Sequence, residues 1–187
     1  NYDAAGGAPS ILLEPQRTNL IIQSNNLNDS NWIKISANLD FNAGTSPDGL
    51  NNAIKITSTG SGSNVRILYN GANVLNHARS IFAKTVSGTG NVSLLSFSGN
   101  TNNLFSLTNQ WQRFELNSYI ATGADGLYAV DFRSAGTTLT EILVWQAQAE
   151  VGASASSSIL TSGSAVTRNA DVITVAPPAG TVKITTT

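Results

Sequence analysis

A histidine and scattered carboxylates are the residues with which this chain could catalyse a reaction. A Ser-His-acid nucleophile needs a histidine, and the chain has only His77, which lies in Asn-His-Ala-Arg without a nucleophile elbow. We interpret His77 as a surface or capped loop histidine just before a strand. A glycosidase needs two facing carboxylates, but the acids of this chain are scattered singly, so their spacing nominates no pair. We therefore expect the chain not to be an enzyme.

Aromatic side chains are the residues with which the chain could bind a sugar, because a ring face covers a pyranose while polar groups around it bind the hydroxyls. Trp111 and Trp145 lie within strand patterns, so we expect both to be buried and structural. Trp32 follows Asn28-Asp29-Ser30-Asn31, and a ligand-binding role competes there with a structural one. The predicted ligand-binding residues, each of which could instead pack on a sheet face, are Trp32, Arg66, Tyr69, Tyr119 and Tyr128.

The stretch from Thr140 to Gly152 is the strand around which we expect the others to be arranged. It begins with Ile-Leu-Val-Trp, apolar on both faces, and then alternates alanine or valine with Gln146, Gln148 and Glu150. A strand that is covered on both faces at one end and half-wetted at the other is typical of the middle of a sheet. The alternation also argues against a surface helix, whose period would mix the glutamines with the alanines.

Short alternating runs separated by turn residues occupy the chain from Lys34 onward. Ser46-Pro47-Asp48-Gly49 predicts a turn, because proline presets φ and glycine accepts positive φ. The predicted strands beyond it cover 53–57, 65–69, 81–86, 92–97, 104–107, 110–120 and 127–132. Short strands at this spacing are typical of a β-sandwich or barrel. We predict an all-β, antiparallel fold with essentially no helix.

The composition excludes several classes of protein. The chain has 187 residues, of which 41% are hydrophobic, enough for one core. Charged residues make up 11% and the net charge is −1, so there is no electrostatic basis for binding nucleic acid or an anionic membrane. No apolar run approaches a membrane span, and no cysteine is present for a disulfide or a thiolate metal site. Because the sequence starts at Asn1 and has no methionine, we expect it to be a piece of a longer protein.

Three motifs resemble one known family. Trp-Gln-Ala-Gln-Ala-Glu-Val-Gly at 145–152 resembles the closing strand of a β-sandwich module of bacteriophage tail and head-fibre proteins. The stretch 11–24, with Glu-Pro-Gln-Arg-Thr-Asn-Leu, resembles the start of that module, and 161–172 resembles its exit. Pro15 cannot donate to a strand ladder, so the first of these stretches should lie at a sheet edge or cross between sheets.

Two shorter stretches resemble jelly-roll carbohydrate-binding modules of the galactose-binding-like type. These are Ser-Ile-Phe-Ala-Lys at 80–84 and Trp-Gln-Arg-Phe at 111–114. The resemblance implies a jelly-roll β-sandwich. Such modules often carry a structural calcium ion between the chain ends, which implies Glu14, Glu150 and Asp171 as candidate ligands.

These observations predict a linker or arm at 1–10, a carbohydrate-binding-like sandwich at 11–152, and a wrapping segment with a terminal β-hairpin at 153–187. The predicted function is that of a non-enzymatic phage fibre or spike module on the virion surface, which binds host-surface glycans. We expect it to form a homotrimer and to contact other virion proteins. One alternative is a monomeric carbohydrate-binding module of a secreted bacterial polysaccharide-degrading enzyme. Another is a purely structural capsid- or tail-decorating domain.

The resemblance also predicts a polarity for the module. We expect the first and last apolar stretches, 11–22 and 172–185, to pack together at an attachment end, since domain termini usually lie close together. The loops around Asp48, Gly60, Asn100 to Asn103 and Asp125 would then be presented for recognition.

Overall fold

The computed structural model describes residues 13–60, 66–69, 77–97, 103–119 and 127–173. Over these ranges the chain forms twelve β-strands and no helix, so none of it is a helix that could cross a membrane. The strands are β1 (Arg17–Asn19), β2 (Trp32–Ile35), β3 (Ala37–Asp40), β4 (Ile54–Ser58), β5 (Arg66–Tyr69), β6 (His77–Thr85), β7 (Gly90–Phe97), β8 (Leu104–Leu107), β9 (Gln112–Tyr119), β10 (Leu127–Asp131), β11 (Glu141–Val151) and β12 (Val166–Arg168). The all-β prediction is confirmed.

Ten of these described strands form two antiparallel sheets of five strands each. Sheet I has the order β2-β5-β10-β7-β8, and sheet II has the order β3-β4-β11-β6-β9. The chain passes repeatedly from one sheet to the other, so most neighbours within a sheet are distant in sequence, as in a jelly roll. Strand β11 is the middle strand of sheet II and pairs with both β4 and β6. The predicted jelly-roll sandwich and the central place of this strand are both confirmed.

The hydrophobic core lies between the two sheets. On β4, Ile54 and Ile56 are buried while Lys55 between them is half-buried; on β6, Ile81 and Ala83 alternate in the same way with their neighbours. Because successive side chains of a strand point to opposite faces, each such strand gives one face to the core and the other to the outside. The core cluster also includes Trp32, Ile67, Leu94, Val130, Ile142 and Val144.

Strand β11 departs from the strict alternation that its sequence predicts. Its register against β6 shifts between Trp145 and Gln148, and Gln146 has a φ of 50°. Gln146 and Ala147 thus stand opposite a single residue of β6, which is a β-bulge. As a result, Trp145 and Gln148 both lie on the face that points away from the core, whereas simple alternation would have placed them on opposite faces.

The polar side chains of β11 are buried, which corrects the prediction that their face is half-wetted. Gln148 is 1% exposed and Glu150 is fully buried. Residues 153–161, which we call the covering segment, lie against them. The amide of Ile159 donates to Gln148 Oε1 (2.8 Å), and that of Ser156 donates to Glu150 Oε1 (2.6 Å). The alternation indicated a polar face, but the segment that shields it follows the strand in sequence and folds back over it.

Residues 17–25, which we call the leading segment, lie beside β11 beyond the end of its pairing with β4. The amide of Leu20 donates to the carbonyl of Ala149 (2.8 Å). Asn19 is fully buried; its Nδ2 donates to the carbonyl of Ile159 (2.8 Å) and its Oδ1 accepts from the amide of Ala149 (3.1 Å). One asparagine therefore ties the leading segment, β11 and the covering segment together.

The two ends of the described chain lie side by side. Strand β1 pairs with β12, with Thr18 opposite Thr167, and the amide of Asp171 donates to the carbonyl of Glu14 (2.9 Å). These contacts involve 166–171, whereas the predicted terminal hairpin lies largely within 174–187. That segment, the predicted linker 1–10, and most of the predicted recognition loops near Gly60, Asn100 and Asp125 lie outside the described residues.

Candidate functional site

The face of sheet II that points away from the core, which we call the outer face, carries a row of chemically diverse side chains. The strand pairings place Asp40, Lys55, Leu143 and Lys84 next to one another on β3, β4, β11 and β6. Trp111, immediately before β9, completes the row, because Lys84 Nζ lies 5.2 Å from the centroid of its ring. This cross-strand row runs across the sheet, perpendicular to the strands.

Trp111 is half-buried, which corrects the prediction that it is a core residue. It lies just before β9 rather than inside the strand. Its Nε1 donates to the carbonyl of Thr45 (2.9 Å), which fixes the orientation of the indole. Part of the ring is therefore available at the surface in a defined position, as stacking on a ligand requires.

A second row on the outer face lies next to the first and consists of Trp145, Phe82 and Arg113. The rings of Trp145 and Phe82 pack edge to face with centroids 5.3 Å apart, and the Arg113 guanidinium carbon lies 5.8 Å from the centroid of Phe82. Arg113 also forms an ion pair with Glu115 (2.7 Å). Phe82 and Arg113 are only partly buried, so this row presents an aromatic surface beside a positioned guanidinium.

At the other side of the outer face the side chains form a polar recess. It has a volume of about 420 Å³ and is lined by Asn38, Asp40, Lys55 and Thr57 together with Leu39. Lys55 Nζ lies 3.7 Å from Asp40 Oδ2, and the two side chains are 33% and 65% exposed. Amide, carboxylate, ammonium and hydroxyl groups are therefore all accessible to solvent in this recess. The recess lies at one end of the cross-strand row, and the indole of Trp111 lies at the other end.

Sequence reasoning missed the binding potential of Lys55, Lys84 and Asp40. Their sequence positions did carry a signal for exposure, because each of them alternates with apolar core residues along its strand. It could not be used without the strand order, because β3, β4, β6 and β11 are brought together from separate parts of the chain.

Two of the predicted ligand-binding residues lie in the core. Trp32 is 1% exposed and Tyr69 is 3% exposed, with their rings edge to face at a centroid distance of 4.8 Å. Trp32 Nε1 donates to the carbonyl of Gln23 (2.9 Å), and the Tyr69 hydroxyl accepts from the amide of Ile22 (3.1 Å). Both rings are thus enclosed and hydrogen-bonded, so neither presents a face to a ligand.

The other three predicted ligand-binding residues are placed only by their backbones. Arg66, Tyr119 and Tyr128 lie on β5, β9 and β10 respectively. Their side chains lie outside the described part of the structure, so their roles stay predictions. They belong to three strands in two different sheets.

Two of the proposed calcium ligands, Glu14 and Asp171, instead accept hydrogen bonds from N–H groups of the protein. Glu14 Oε1 accepts from the amide of Ser157 (2.7 Å), and Glu14 Oε2 accepts from the Arg168 guanidinium. Asp171 Oδ2 accepts from the amide of Glu14 (3.0 Å). The carboxylates clamp the two chain ends together through N–H groups.

The third proposed ligand, Glu150, is also occupied by donors. It accepts from the amide and hydroxyl of Ser156 (2.6 and 2.7 Å) and from Gln148 Nε2 (2.8 Å), and Arg17 Nε lies 3.8 Å away. In the part of the chain that the structure describes, no group of three or more His, Cys, Asp or Glu side chains is arranged to hold a metal. Calcium needs free oxygen ligands, and an arrangement saturated with N–H donors and guanidinium groups does not fit it.

The pKa of the Glu14 carboxyl group lies below its ordinary value of 4.5. Burial by itself raises this pKa, but the hydrogen bonds from Ser157 and the hydrogen bond and positive charge of Arg168 together lower it by more. Hydrogen bonds and opposite charges favour the ionised form, so the clamp between the chain ends requires a deprotonated carboxyl group.

We expect this clamp to weaken as the pH falls below about 4.5. The pKa is lower in the folded than in the unfolded chain, so the stability contributed by Glu14 is fully present above the unfolded value and is lost as the pH falls through the folded one. Hydrogen exchange of the Ser157 amide, corrected for the intrinsic rate, should report the loss as the pH is lowered below about 4.5. In Glu14→Gln the corrected protection should be lower and nearly independent of pH; equal pH profiles in both proteins would contradict the prediction.

His77 is the first residue of β6 and is fully buried, which corrects its interpretation as a loop histidine. It is paired with Val151 on one side and with Tyr119 on the other. The strand begins four residues earlier than the sequence pattern predicts, because the pattern there, Asn-His-Ala-Arg, contains no apolar alternation. A histidine enclosed in this way is not placed to act on a substrate.

Comparisons with known proteins give similarity to solved structures only. No family model matches the chain. No curated protein matches it either. The C-terminal family 22 carbohydrate-binding module of Clostridium thermocellum Xyn10B is similar over 65% of this chain and 86% of its own, with 14% identity and a TM-score of 0.44. A family 11 carbohydrate-binding module from Clostridium thermocellum is similar over 76% of this chain and 99% of its own (12% identity, TM-score 0.47). The N-terminal modules of Clostridium thermocellum xylanase 10B, a family 22 carbohydrate-binding module joined to a family 10 enzyme module, are similar over 71% of this chain and 27% of theirs (14% identity, TM-score 0.42).

Proposed function

We propose that this chain is a non-enzymatic carbohydrate-binding domain and that its binding surface is the outer face of sheet II. The observation that carries this proposal is the cross-strand row, in which the partly exposed indole of Trp111 is followed by Lys84, Lys55 and Asp40. A ring to cover a pyranose and polar groups to bind its hydroxyls are the two requirements of a sugar site.

The dimensions of the outer face favour an extended ligand. Neighbouring strands are about 4.8 Å apart, so five strands span about 19 Å. That distance accommodates several sugar units laid across the strands, with the second row of Phe82 and Arg113 beside them. Among the described residues, three cations and three anions on this face reach solvent at least in part and balance one another: Lys55, Lys84, Arg113, Asp40, Glu115 and Glu141. A balanced, hydrogen-bonding surface suits a neutral glycan better than a polyanion.

The absence of catalysis is part of the proposal and is supported by the state of the acidic residues. Glu150 is fully buried among protein donors, Glu115 is paired with Arg113, and Asp131 is paired with Arg133 (2.5 Å). A glycosidase needs one carboxyl group that can donate a proton and a second that faces the same bond. Among the described acids, these three are each engaged in an ion pair or hydrogen bonds away from the cross-strand row.

Two settings for such a domain remain as proposals. The resemblance of 11–24 and 145–152 to phage fibre modules supports a virion fibre or spike that adsorbs to host glycans, and such fibres are built on symmetry axes. A module appended to a secreted polysaccharide-degrading enzyme is the alternative. The mass of the chain in solution separates them, because a trimer favours the fibre and a monomer favours the appended module.

Replacing Trp111 with alanine tests the binding surface. Aromatic anchors typically contribute about 2 kcal/mol to binding, so the affinity should fall about 10- to 30-fold. Two similar structures hold a mixed-linked β-1,3-1,4 tetrasaccharide and xylohexaose, and we choose these sugars, followed by a glycan array, as calorimetric probes. The matched control is Ile33→Ala, which removes an exposed apolar side chain (39% exposed) from sheet I.

The result that supports the proposal is a loss of affinity in Trp111→Ala with the affinity of Ile33→Ala unchanged. Both variants should keep a cooperative thermal transition. Absence of binding to any glycan by the unmodified chain, or equal affinity in all three proteins, would overturn the proposed surface. Release of reducing sugar that a single carboxylate substitution abolishes would overturn the non-enzymatic proposal.

A further inference from the structure

The carboxylate of Glu141 differs from those of the other described acids, because no described residue forms a hydrogen bond or an ion pair with it. Glu141 is the first residue of β11 and is half-buried. Its two oxygens are therefore free to accept from a ligand. The other described acids each have a partner in the protein: Glu14, Asp29, Asp40, Asp48, Glu115, Asp131, Glu150 and Asp171.

Glu141 lies in a small recess where β6 ends and β11 begins. The recess has a volume of about 170 Å³, and its other lining residues are Val86, Ser87, Thr138, Leu139 and Thr140. Val86 is 42% exposed and gives the recess an apolar wall, while three of its neighbours carry hydroxyl groups. A carboxylate, several hydroxyls and an apolar wall are groups that can bind the polar edge and the C–H face of a sugar.

Two loops form the walls of this recess and are held in place without Glu141. The amide of Asn91 donates to Thr138 Oγ1 (2.9 Å), and the amide of Thr138 donates to the carbonyl of Asn91 (2.9 Å). In the other loop, Thr85 Oγ1 donates to the carbonyl of Gly88 (2.8 Å) and closes the turn after β6. Because none of these bonds involves Glu141, the recess should keep its shape when the carboxylate is replaced. A preformed recess also binds without the cost of ordering its walls.

The recess adjoins the cross-strand row on the outer face of sheet II. Leu143 belongs to that row and lies two residues after Glu141 on the same face of β11, so the two are about 7 Å apart along the strand. Thr57 lies directly opposite Glu141 on β4 and also lines the larger polar recess. A sugar unit that covers Leu143 would therefore have one edge beside the Glu141 carboxylate.

We propose that the recess at Glu141 is a specificity subsite, in which the carboxylate accepts hydrogen bonds from two neighbouring hydroxyls of a neutral sugar unit. The inference rests on the proposed function, because the cross-strand row holds the rest of the glycan. An ionised carboxylate has only acceptors and can bind two donors at once. Neighbouring sugar hydroxyls supply two donors. A uronate carboxylate supplies none and adds a second negative charge, so the subsite selects neutral over acidic sugars.

Glu141→Gln tests the subsite, because it keeps the size of the side chain but replaces one acceptor oxygen with a donor. The calorimetric probes are the mixed-linked tetrasaccharide, xylohexaose, an oligogalacturonate and a glucosamine oligomer. The affinity for the neutral sugars should fall about 5- to 10-fold, since a hydrogen bond to a charged group is lost. The ratio of the affinities for neutral and acidic sugars should fall as well, which loss of a merely structural side chain would not cause.

Asp29→Asn is the matched control. It also removes one negative charge, but from the loop before β2 of sheet I, and an asparagine there can still accept from the amide of Asn31. Its affinities should equal those of the unmodified chain. Both variants should melt within about 1–2 °C of the unmodified chain, as expected for surface substitutions. A larger fall for Glu141→Gln would show that the carboxylate has a structural role and would overturn the proposal.

The outcomes separate the subsite from the proposed function. Unchanged affinity in Glu141→Gln, together with weaker binding by Trp111→Ala, overturns the subsite and leaves the proposed function intact. An equal fall for neutral and acidic sugars overturns the specificity assigned to Glu141. Binding of the glucosamine oligomer alone, abolished in Glu141→Gln, overturns the hydroxyl assignment in favour of an ammonium group. Failure of the unmodified chain to bind any probe or any glycan on an array overturns the proposed function and the subsite with it.

Discussion

Replacing Trp145 with alanine is expected to lower the free energy of unfolding by about 4 kcal/mol, the usual cost of truncating a buried tryptophan. The side chain is 5% exposed and packs edge to face on Phe82, with centroids 5.3 Å apart. It also lies on the middle strand of sheet II, which pairs with both β4 and β6. A urea unfolding curve measures the change through the shift of its midpoint.

Trp111→Ala is the control for this experiment. Trp111 is half-buried and lies just before β9 rather than in it. Its replacement should therefore lower the free energy of unfolding by less than half of the loss expected for Trp145→Ala. Similar losses from the two substitutions would show that burial does not distinguish these tryptophans. An unchanged midpoint for Trp145→Ala would contradict the structural role assigned to it.

Replacing Glu150 with alanine is expected to lower the free energy of unfolding by about 3 kcal/mol, because it leaves buried donors without an acceptor. The carboxylate is fully buried and accepts from Ser156 and Gln148, with Arg17 3.8 Å away. The loss should be accompanied by release of the covering segment, 153–161. Urea unfolding gives the energy, and limited proteolysis within 153–161 reports the release.

Asp40→Ala is the matched control for the loss of a carboxylate. Its side chain is 65% exposed and its ion pair with Lys55 spans 3.7 Å at the surface. Exposed pairs contribute between 0 and about 1 kcal/mol, so the midpoint should hardly move. If Glu150→Ala were equally silent, or if it lowered stability without making 153–161 sensitive to protease, the covering segment would not depend on this carboxylate.

Strand positions were largely predictable from the sequence. The runs at 53–57, 65–69, 92–97, 104–107 and 127–132 were each found within two residues of their expected bounds. Apolar alternation and the flanking Gly and Asn residues indicated them. The start of β6 at His77 was not predictable, because its first four residues are buried by neighbours from two other strands rather than marked by their own pattern.

The outer face was only half predictable. The sequence indicates aromatic and basic residues as candidates, but it leaves a ligand-binding and a structural role open for Trp32 and predicts that Trp111 is a core residue. The structure buries Trp32 and leaves Trp111 half-buried. Flanking polarity suggested exposure for Trp32. The decisive fact is that Tyr69 and the rest of the core pack on it from another strand.

By itself, the sequence determined that this protein is built of β-strands and that β11 lies near the middle of a sheet, because the direction of successive side chains along a strand depends only on the local backbone. The pattern fitted a sandwich or a barrel, and only the family resemblance implied the sandwich. The tertiary structure alone decided which tryptophan faces solvent, where the bulge at Gln146 interrupts the alternation, and that Glu150 is sealed beneath residues 153–161. Each of those outcomes depends on what lies on the other side of a strand. The residues that pack there come from segments distant in sequence, such as the leading segment beside Ala149. The local sequence pattern of a strand does not indicate which segment will pack against it.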